Sequence, residues 1–350
     1  MELNDLFISE TITIKEAIKK LDETAKKILI VTEGRKLKGI ITDGDIRRWI
    51  LKSGSMQECA DAIMNKSPKF IYGKERENAK TILKEQMIEA IPVVNDDNEV
   101  IDIVFWNDNF KDKLNHFNKI ENPVVIMAGG KGARLDPYTK VIPKPLIPIG
   151  DIPIVERIIN RFTEYGCSKF YMTVNYKKNM IKSYFNELDK AYEIVYVEED
   201  KPLGTAGSLS LLKGIMKDTF FVSNCDILID ANYSDILIYH KKNKNKITLV
   251  TSLKHYTIPY GVIELNENSS VNKMVEKPEL DYLVNTGMYI LEPEAIYDIP
   301  EGTFFHITDL INYYIDRSER IGVYPVGDKD WLDMGELKEM ENMLERLGIK

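Results

Sequence analysis

The stretch VVIMAGGKGARLDPYTKVIPKPLIPIG, from Val124 to Gly150, decides the fold class of this chain. Its apolar start, VVIM, predicts a strand, and the glycine cluster that follows predicts a tight turn. Glycines after a strand leave main-chain N–H groups open to an anion, because no Cβ covers them. Arg134 adds a forked cationic donor and Lys144 adds a point charge. The stretch therefore predicts a polyphosphate site at the end of a strand.

This glycine cluster differs from the two common phosphate-binding loops. A P-loop needs Lys and then Ser or Thr after its second glycine, whereas Gly132 is followed here by Ala133. A dinucleotide fingerprint needs a third glycine, and Leu135 stands near that place. A plain strand-to-helix turn with incidental surface cations is the alternative, and a glycine cluster alone would favour it. The added Arg-Leu pair and the Pro-Lys-Pro around Lys144 favour the phosphate site.

The composition limits the classes to which the chain can belong. Its 350 residues favour two domains, and 44% hydrophobic with 29% charged residues favour packed cores over disorder. A net charge of −8 argues against a nucleic-acid surface. No apolar run is long enough to span a bilayer, the N-terminus lacks a signal pattern, and three scattered cysteines suggest neither disulfides nor a zinc site. We expect a cytoplasmic protein without nucleic-acid or membrane partners.

A polar segment from Asn107 to Pro123 separates two parts of different character. Before it, one pattern of helix, strand, turn and strand occurs twice, first as TIKEAIKKLDET, KILIVTE and LKGIITDGDIRRWIL, then as NAKTILKEQMIEAIPVVNDDNEVIDIVFWND. Such a repeat is typical of a paired module. The sequence thus predicts an α+β pair over residues 1–117 and a second domain over residues 120–350.

The segment Gly39–Asp45, GIITDGD, resembles the G-h-h-T-x-x-D end of a CBS motif, and the first 115 or so residues resemble a CBS pair. The resemblance implies that Thr42 approaches a nucleotide phosphate and that Asp45 binds a ribose diol, with an adenine nucleotide as the expected ligand. The second copy has Asp102 and Phe105 at the Gly and Thr positions, so one ligand site is lost or altered. The alternative is a pair that only packs and dimerises.

After the boundary, strands and helices alternate. The strands KFYMTVN, EIVYVEE and TFFVSN are preceded by predicted helices near Ile154–Tyr165, Met180–Leu188 and Ala206–Leu212. This alternation predicts a parallel sheet with helices on both faces. Ligands of such sheets bind at the carboxyl ends of the strands, where the motifs of this chain lie.

Two aspartates and a second glycine element stand at such ends. Asp226 follows the strand FFVSN, and Asp333 lies in DWLDMGEL. Carboxylates there suit Mg²⁺, although an Asx turn or a helix cap explains a lone Asp equally well. In EEDKPLGTAGSL, Gly204 and its small neighbours leave room for a planar base on the main chain, and a capping Thr205 is the alternative.

Three later motifs carry groups that suit a phosphorylated sugar. They are PYGVIEL, VEKPE and VNTGMYIL, which supply Gly261, Glu276, Lys277, Asn285 and Gly287. Carboxylate and amide groups bind hydroxyls, a lysine binds phosphate, and glycines admit a ring close to the backbone. An ordinary charged turn is the commoner explanation of Glu-Lys-Pro taken alone.

Taken in order, the motifs from Val124 to Met343 resemble those of the sugar-1-phosphate nucleotidyltransferases, which couple a nucleoside triphosphate to a sugar phosphate. The resemblance implies a Rossmann-like, mostly parallel sheet after the CBS pair. Ala133 departs from the Thr that is frequent there. The implied catalytic residues are Arg134, Lys144 and Lys277. The implied nucleotide-binding residues are Ala128, Gly129, Gly130, Lys131, Gly132, Leu203, Gly204 and Thr205. Gly261, Glu276, Lys277, Asn285 and Gly287 would bind the sugar phosphate, and Asp226 and Asp333 would hold Mg²⁺.

The motifs look most like those of mannose-1-phosphate guanylyltransferases. A CBS pair ahead of such a domain resembles instead the glucosamine-1-phosphate guanylyltransferases of legionaminic acid pathways. The resemblance implies GTP with glucosamine 1-phosphate first and mannose 1-phosphate second, with CTP, UTP and dTTP as further alternatives. Two hypotheses of another class remain. One is a nucleotide-sensing regulator with a degenerate catalytic half, against which the intact Arg134, Lys144, Asp226 and Asp333 argue. The other is a scaffold in which the CBS pair only oligomerises. We also expect a homo-oligomer.

Overall fold

The computed structural model describes residues 2–86, 88–105 and 119–349 of the chain. We call residues 2–105 the N-terminal module and residues 119–349 the C-terminal unit. The predicted boundary, Asn107 to Pro123, lies mostly outside the described residues, so the division at that point stays a prediction. Within the described ranges, no helix is both long and apolar enough to cross a membrane.

The C-terminal unit is built on a seven-stranded sheet. Its strands are β7 (Val124–Met127), β10 (Lys169–Val174), β11 (Glu193–Glu198), β12 (Phe220–Asn224), β14 (Ile247–Thr257), β17 (Glu279–Leu291) and β18 (Ile321–Val326). They lie in the order β11-β10-β7-β12-β17-β14-β18. Short two-stranded ladders are formed by β8 (Pro148–Ile149) with β9 (Ile152–Pro153), β13 (Ile227–Ile229) with β19 (Trp331–Asp333), and β15 (Val262–Leu265) with β16 (Val271–Val275). The helices are α4 (Tyr138–Val141), α5 (Ile154–Glu164), α6 (Lys178–Asn186), α7 (Gly204–Gly207), α8 (Tyr233–Asn243), α9 (Ile307–Asp316) and α10 (Leu337–Arg346).

The prediction of a mostly parallel sheet is confirmed. Strands β11, β10, β7 and β12 are parallel neighbours, and so are β14 and β18. The exception is β17, which pairs antiparallel with both β12 and β14. Between β14 and β17 the chain forms only the β15–β16 hairpin, and such a connection reverses the strand direction instead of providing a parallel crossover.

The run VVIM forms a strand because both of its faces are buried. Val124 and Ile126 join the apolar core that contains α5 and α8, whereas Val125 and Met127 join the core that contains α9. Successive side chains of a strand point to opposite faces, so a strand covered on both sides needs an unbroken apolar run. Helix α5 confirms the prediction near Ile154–Tyr165. The predicted helix over 206–212 is instead the short α7 followed by a 3-10 turn.

The N-terminal module contains the same topology twice, as the repeat predicts. In each copy a short strand pairs parallel with the next strand, which pairs antiparallel with the third. The first copy comprises β1 (Phe7–Ile8), α1 (Ile14–Thr24), β2 (Ile28–Glu33), β3 (Lys36–Thr42) and α2 (Asp43–Leu51). The second comprises β4 (Ile71–Tyr72), α3 (Ala79–Gln86), β5 (Ala90–Val94) and β6 (Val100–Phe105). Apolar side chains of both copies, such as Ile30 and Val100, share one core.

The module packs on the C-terminal unit through α1 and α2. Leu253 of β14 is 6% exposed and belongs to the same apolar cluster as Ile18 and Ile46 of the module. The Nε of Arg47 in α2 donates a hydrogen bond to the carbonyl of Pro325 at 3.0 Å. A side chain of the C-terminal unit thus completes the core of the module.

Leu253→Ala should lower the free energy of unfolding by about 2–4 kcal/mol, because it opens a cavity in this shared core. Leu283 is the matched control, since it lies opposite Leu253 in the β14–β17 ladder and is 42% exposed. Leu283→Ala should change stability by no more than about 0.5 kcal/mol. Chemical denaturation of the full chain measures both, and equal losses would show that Leu253 is not part of the module's core.

Candidate active site

A cavity of about 460 Å³ opens at the carboxyl ends of β7, β10, β11 and β12. Its volume suits a small-molecule ligand, and its position is the one expected for a parallel sheet. The loops after these strands supply most of the wall, which is lined by Met127, Gly129, Gly130, Gly132, Ala133, Arg134, Lys144, Thr173, Glu199, Pro202, Leu203, Gly204, Thr205, Ser208, Asn224, Cys225, Asp226, Phe304 and Gly335.

The glycine loop presents main-chain donors to this cavity. Among the described residues, the N–H groups of Gly129 to Gly132 have no protein acceptor. A Cβ added at Gly130 would meet no atom within 4 Å, so the backbone there is open. Consecutive N–H groups of this kind form a concave site for an anion. The loop therefore has the features that the sequence predicts for a phosphate cradle.

Gly129 is required for a reason that the sequence does not reveal. A Cβ at this position would lie 2.5 Å from Oε1 of Glu199, which is 6% exposed and follows β11. Oε2 of Glu199 accepts a hydrogen bond from the N–H of Leu203 at 3.2 Å. Burial raises the pKa of the Glu199 carboxyl, against hydrogen bonds from Leu203 and Thr173 that lower it. Gly129 thus makes room for a buried acid in the cavity wall.

Gly132 allows the close approach of Lys144. Its φ is +67°, a conformation that favours glycine, and a Cβ there would lie 2.9 Å from the Cβ of Lys144. The ammonium group of Lys144 forms an ion pair with the carboxylate of Asp226, and the two side chains are only 13% and 11% exposed. The loop after β7 is in this way joined to the end of β12.

Asp226 and Asp333 lie side by side, as the sequence predicts. Strands β13 and β19 pair antiparallel with Ile227 opposite Asp333, and the N–H of Met334 donates to the carbonyl of Asp226 at 2.8 Å. Burial and the negative charge of Asp226 raise the pKa of Asp333, whereas the charge of Lys144 opposes the rise. The ladder thus holds two carboxylates together at the cavity edge.

This pair of carboxylates fits Mg²⁺. Among the described residues, no group of three or more His, Cys, Asp or Glu side chains could hold a metal ion. Mg²⁺ typically binds one or two carboxylates and completes its shell with water and substrate phosphates. Asp226 and Asp333, near the open amides of the glycine loop, offer that set of oxygen ligands.

In the second glycine element, EEDKPLGTAGSL, close packing against a neighbouring segment of the chain requires glycine. Gly204 has a φ of +79°, and a Cβ there would lie 2.7 Å from the carbonyl oxygen of Phe305. The hydroxyl of Thr205 accepts a hydrogen bond from the N–H of Ile307 at 3.0 Å, at the start of α9. Thr205 therefore caps a helix distant in sequence, while Leu203 and Gly204 still line the cavity.

The candidate sugar residues are not part of the cavity wall. Gly261 and Glu276 flank the β15–β16 hairpin, where a Cβ on Gly261 would lie 3.0 Å from the Glu276 carboxylate. Lys277 is exposed and has a φ of +45°. Asn285 donates to the Tyr289 hydroxyl at 2.7 Å and accepts from the N–H of Gly287 at 3.1 Å.

Gly287 lies beside a residue of the cavity wall. A Cβ at this position would collide with the side chain of Asn224, which lines the cavity. The structure thus brings Gly287 of β17 next to the cavity, and leaves Gly261, Glu276 and Lys277 beside the β15–β16 hairpin.

Two candidate nucleotide-binding residues, Ala128 and Lys131, and the candidate catalytic residue Arg134 have different environments. Ala128 is buried, and its N–H donates to the carbonyl of Thr173 at 3.0 Å, so it is not available to a ligand. Lys131 is exposed and does not line the cavity. Arg134 does line it, and its guanidinium lies 3.7 Å from the carboxylate of Glu336.

Thr42 and Asp45 form a reciprocal capping box at the start of α2. The Thr42 hydroxyl donates to Asp45 Oδ2 at 2.7 Å, and the N–H of Thr42 donates to the same oxygen at 2.9 Å. Arg48 pairs with the other carboxylate oxygen at 2.5 Å. In the second copy, Asp102 pairs with Arg76 at 2.6 Å. A ligand of Asp45 would have to compete with these contacts.

Glu199 is the cavity residue that sequence reasoning missed. The signal was present, since this acid stands at the carboxyl end of the strand EIVYVEE, as Asp226 does after FFVSN. Cys225, beside Asp226, has a thiol that burial keeps protonated. Burial and then the charge of Asp226 raise the pKa of its thiol to about 12.

Comparisons with known proteins match the two families that the sequence motifs resemble. The nucleotidyl transferase family model matches residues 123–347, and the CBS domain model matches residues 1–52. The bifunctional protein GlmU of Methanococcus maripaludis is 33% identical over 221 residues, which cover 60% of this chain and 51% of that protein. A mannose-1-phosphate guanylyltransferase catalytic subunit beta of Drosophila pseudoobscura pseudoobscura is 28% identical over 222 residues, 61% of this chain and 59% of that protein. The chain thus spans little more than half the length of these relatives.

A solved structure has the same fold as the C-terminal unit. HddC from Yersinia pseudotuberculosis, complexed with GMP-PN, superimposes with a TM-score of 0.51 at 22% identity. The match covers 65% of this chain and 99% of that chain.

Gly129→Ala should lower the free energy of unfolding by about 1–3 kcal/mol, because the added methyl group displaces the buried Glu199 carboxylate. Gly130→Ala is the matched control, since its Cβ enters open space and its φ is not positive. It should leave stability unchanged or slightly raised, as Gly→Ala restricts the unfolded chain. Thermal unfolding of both variants is the measurement. Equal stability would show that Glu199 does not need the space at Gly129.

Proposed function

Because the chain belongs to the nucleotidyl transferase family, we propose that it transfers a nucleotidyl group from a nucleoside triphosphate to a sugar 1-phosphate. The observation that carries the proposal is the convergence of Lys144, Asp226 and Asp333 beside the open amides of the glycine loop. A cavity lined by cations, open amides and the Asp226 carboxylate, with Asp333 next to that carboxylate, is suited to neutralising and orienting phosphates.

In the proposed reaction, a phosphate oxygen of the sugar 1-phosphate attacks the α-phosphorus. A new P–O bond forms as the bond between the α-phosphorus and the bridging oxygen breaks, and pyrophosphate departs in line. The amides of Gly129 to Gly132 and Arg134 hold the β- and γ-phosphates, and Lys144 neutralises charge on the transferred phosphoryl group. No protein nucleophile takes part, so catalysis consists of positioning and charge neutralisation.

Asp226 and Asp333 are the residues that would hold Mg²⁺. The ion, when bound, supplies Lewis-acid neutralisation of the phosphates. Lys277 orients the attacking phosphate, while Glu276 and Asn285 bind sugar hydroxyls. Since the hairpin lies outside the cavity wall, we propose that it approaches the cavity when the sugar phosphate binds.

For the nucleotide, we propose GTP. Guanine carries two neighbouring donors, N1–H and the 2-amino group, and a carboxylate accepts both. Glu199 offers a buried carboxylate in the cavity wall, next to Leu203 and Gly204. A relative is named as a guanylyltransferase, and the HddC structure was solved with GMP-PN. We propose glucosamine 1-phosphate as the sugar substrate, because the CBS resemblance favours it, and mannose 1-phosphate as the alternative.

For the N-terminal module, we propose a regulatory or assembly role over residues 1–117, ahead of a catalytic domain over residues 120–350. An adenine nucleotide at Thr42 and Asp45 is the proposed ligand, one per pair. A non-catalytic regulator or scaffold is the alternative for the whole chain, and it predicts no pyrophosphate release with any substrate.

Asp226→Asn and Asp333→Asn should each reduce turnover roughly a hundredfold or more, because each removes a charged oxygen ligand. Asp136→Asn is the control, since this exposed residue of the loop after β7 pairs only with Lys140 at 3.0 Å among the described residues. Turnover is measured at saturating Mg²⁺, with the fold checked by circular dichroism. Near-normal activity of either folded variant would remove that residue from the metal site.

Pyrophosphate release with a panel of triphosphates and sugar 1-phosphates tests the function itself. We expect GTP with glucosamine 1-phosphate to be the best pair. Glu199→Gln should reduce kcat/KM for GTP about tenfold or more and that for UTP much less, since it removes a charged acceptor. Glu198→Gln is the control, because the neighbouring Glu198 is exposed and pairs with Lys178 at 2.5 Å. An equal reduction of kcat/KM for GTP and UTP would show that Glu199 does not recognise the base.

A further inference from the structure

Two lysines of the N-terminal module contact the start of β17. The ammonium of Lys19 lies 2.6 and 2.7 Å from the carboxylate oxygens of Glu279. The ammonium of Lys15 lies 2.9 Å from Asp281 and 3.3 Å from Glu279. Both lysines belong to α1, so one helix of the module holds two acids at the same end of one strand.

These acids stand where the β15–β16 hairpin leaves the sheet. Asp281 lies opposite His255, and Glu279 lies opposite Thr257, the last residue of β14. One further main-chain bond, from the N–H of Ile258 to the carbonyl of Pro278, closes the ladder at 3.0 Å. Lys277 comes next, in a left-handed conformation with a φ of +45°. The module therefore contacts the base of the hairpin at Glu279, which is two residues from Lys277, the proposed phosphate-binding lysine.

Beyond its base, the hairpin has little support of its own. Its apolar cross-strand pairs are exposed, with Ile263 at 53% opposite Met274 at 63%, and Leu265 at 63% opposite Val271 at 61%. A two-stranded hairpin without a covered face is only marginally stable. Its orientation must therefore be determined mainly where it joins the β14–β17 ladder.

The contact at the base of the hairpin is stronger than a typical surface ion pair. Lys15 and Asp281 are 13% and 20% exposed, and Nδ1 of His255 lies 2.6 Å from the same Asp281 carboxylate. Burial disfavours the charge of Lys15, but hydrogen bonds and charges from Asp281 and Glu279 outweigh it and raise the pKa of the lysine. Lys15 thus remains charged at neutral pH, and its removal leaves a half-buried carboxylate short of a partner.

We propose that Lys15 and Lys19 are positioning residues for Lys277, through which the N-terminal module sets the affinity for the sugar phosphate. This inference rests on the proposed function, because it takes Lys277 as the group that binds the attacking phosphate. The ion pairs fix the paired ends of β14 and β17, and these ends fix the direction in which Glu276 and Lys277 project.

The test is steady-state kinetics of Lys15→Ala, Lys19→Ala and the double variant in the full chain. The double variant should raise KM for the sugar phosphate roughly three- to tenfold, as expected for the loss of a partly buried pair. KM for the triphosphate should stay within twofold of wild type, which a general loss of structure would not allow. Lys15→Arg should restore the lower KM.

Lys20→Ala is the matched control on the same helix, because Lys20 donates to the carbonyl of Phe7 within the module. It should leave both KM values unchanged. Glu279→Gln tests the same contact from the side of the acid, and it weakens the pairs of Glu279 with both Lys19 and Lys15. Lys19→Ala combined with Glu279→Gln should therefore raise KM no further than Glu279→Gln alone. If Lys15→Ala does not fold, Lys19→Ala and Glu279→Gln still test the proposal.

The outcomes distinguish failure of the proposed function from failure of the positioning role. If no tested pair of triphosphate and sugar 1-phosphate leads the wild-type chain to release pyrophosphate, the proposed function fails. If the wild-type chain is active and Lys277→Ala raises KM for the sugar phosphate, but the double variant leaves it unchanged, the positioning role is overturned. Equal increases in KM for both substrates would also overturn it, since they would indicate a general structural role.

Discussion

The ion pair between Lys144 and Asp226 is the contact on which the candidate site depends. It joins the loop after β7 to the end of β12, and it forms only because Gly132 has no Cβ to hold Lys144 away. It also places a positive charge beside two carboxylates, Asp226 and Asp333, which would otherwise repel each other across the β13–β19 ladder. The glycine loop and the carboxylate pair are therefore parts of one electrostatic unit.

The sequence predicts the sheet and the place of the site because both follow from local patterns. An unbroken apolar run such as VVIM indicates a strand buried on both faces, and residues after such strands meet at one edge. For this reason the sequence predicts that the glycine loop, Asp226 and Asp333 lie close together. The reasons for individual glycines were not predictable. Gly129 faces Glu199 and Gly204 faces Phe305, and both neighbours are distant in sequence.

The sequence also could not show how the two units meet. In the sequence Leu253 is indistinguishable from the other apolar residues of β14, yet in the structure it completes the core of the N-terminal module. Gly261 and Glu276, which the sequence predicts to bind the sugar phosphate, flank the β15–β16 hairpin. The place of this hairpin outside the cavity wall depends on how the strand β17 leaves the sheet. Such features arise from contacts between distant segments, which neither periodicity nor spacing encodes.

The contact of α1 with β17 has a consequence for how the chain is made. Lys19 and Glu279 are 260 residues apart, and at typical rates of synthesis, ~5–20 residues per second, the helix emerges roughly ten to fifty seconds before the strand. During that interval the module has neither Leu253 in its core nor Glu279 on its lysines. Its apolar and basic surface is then a natural target for chaperones, and closure of the interface is a late event in biogenesis.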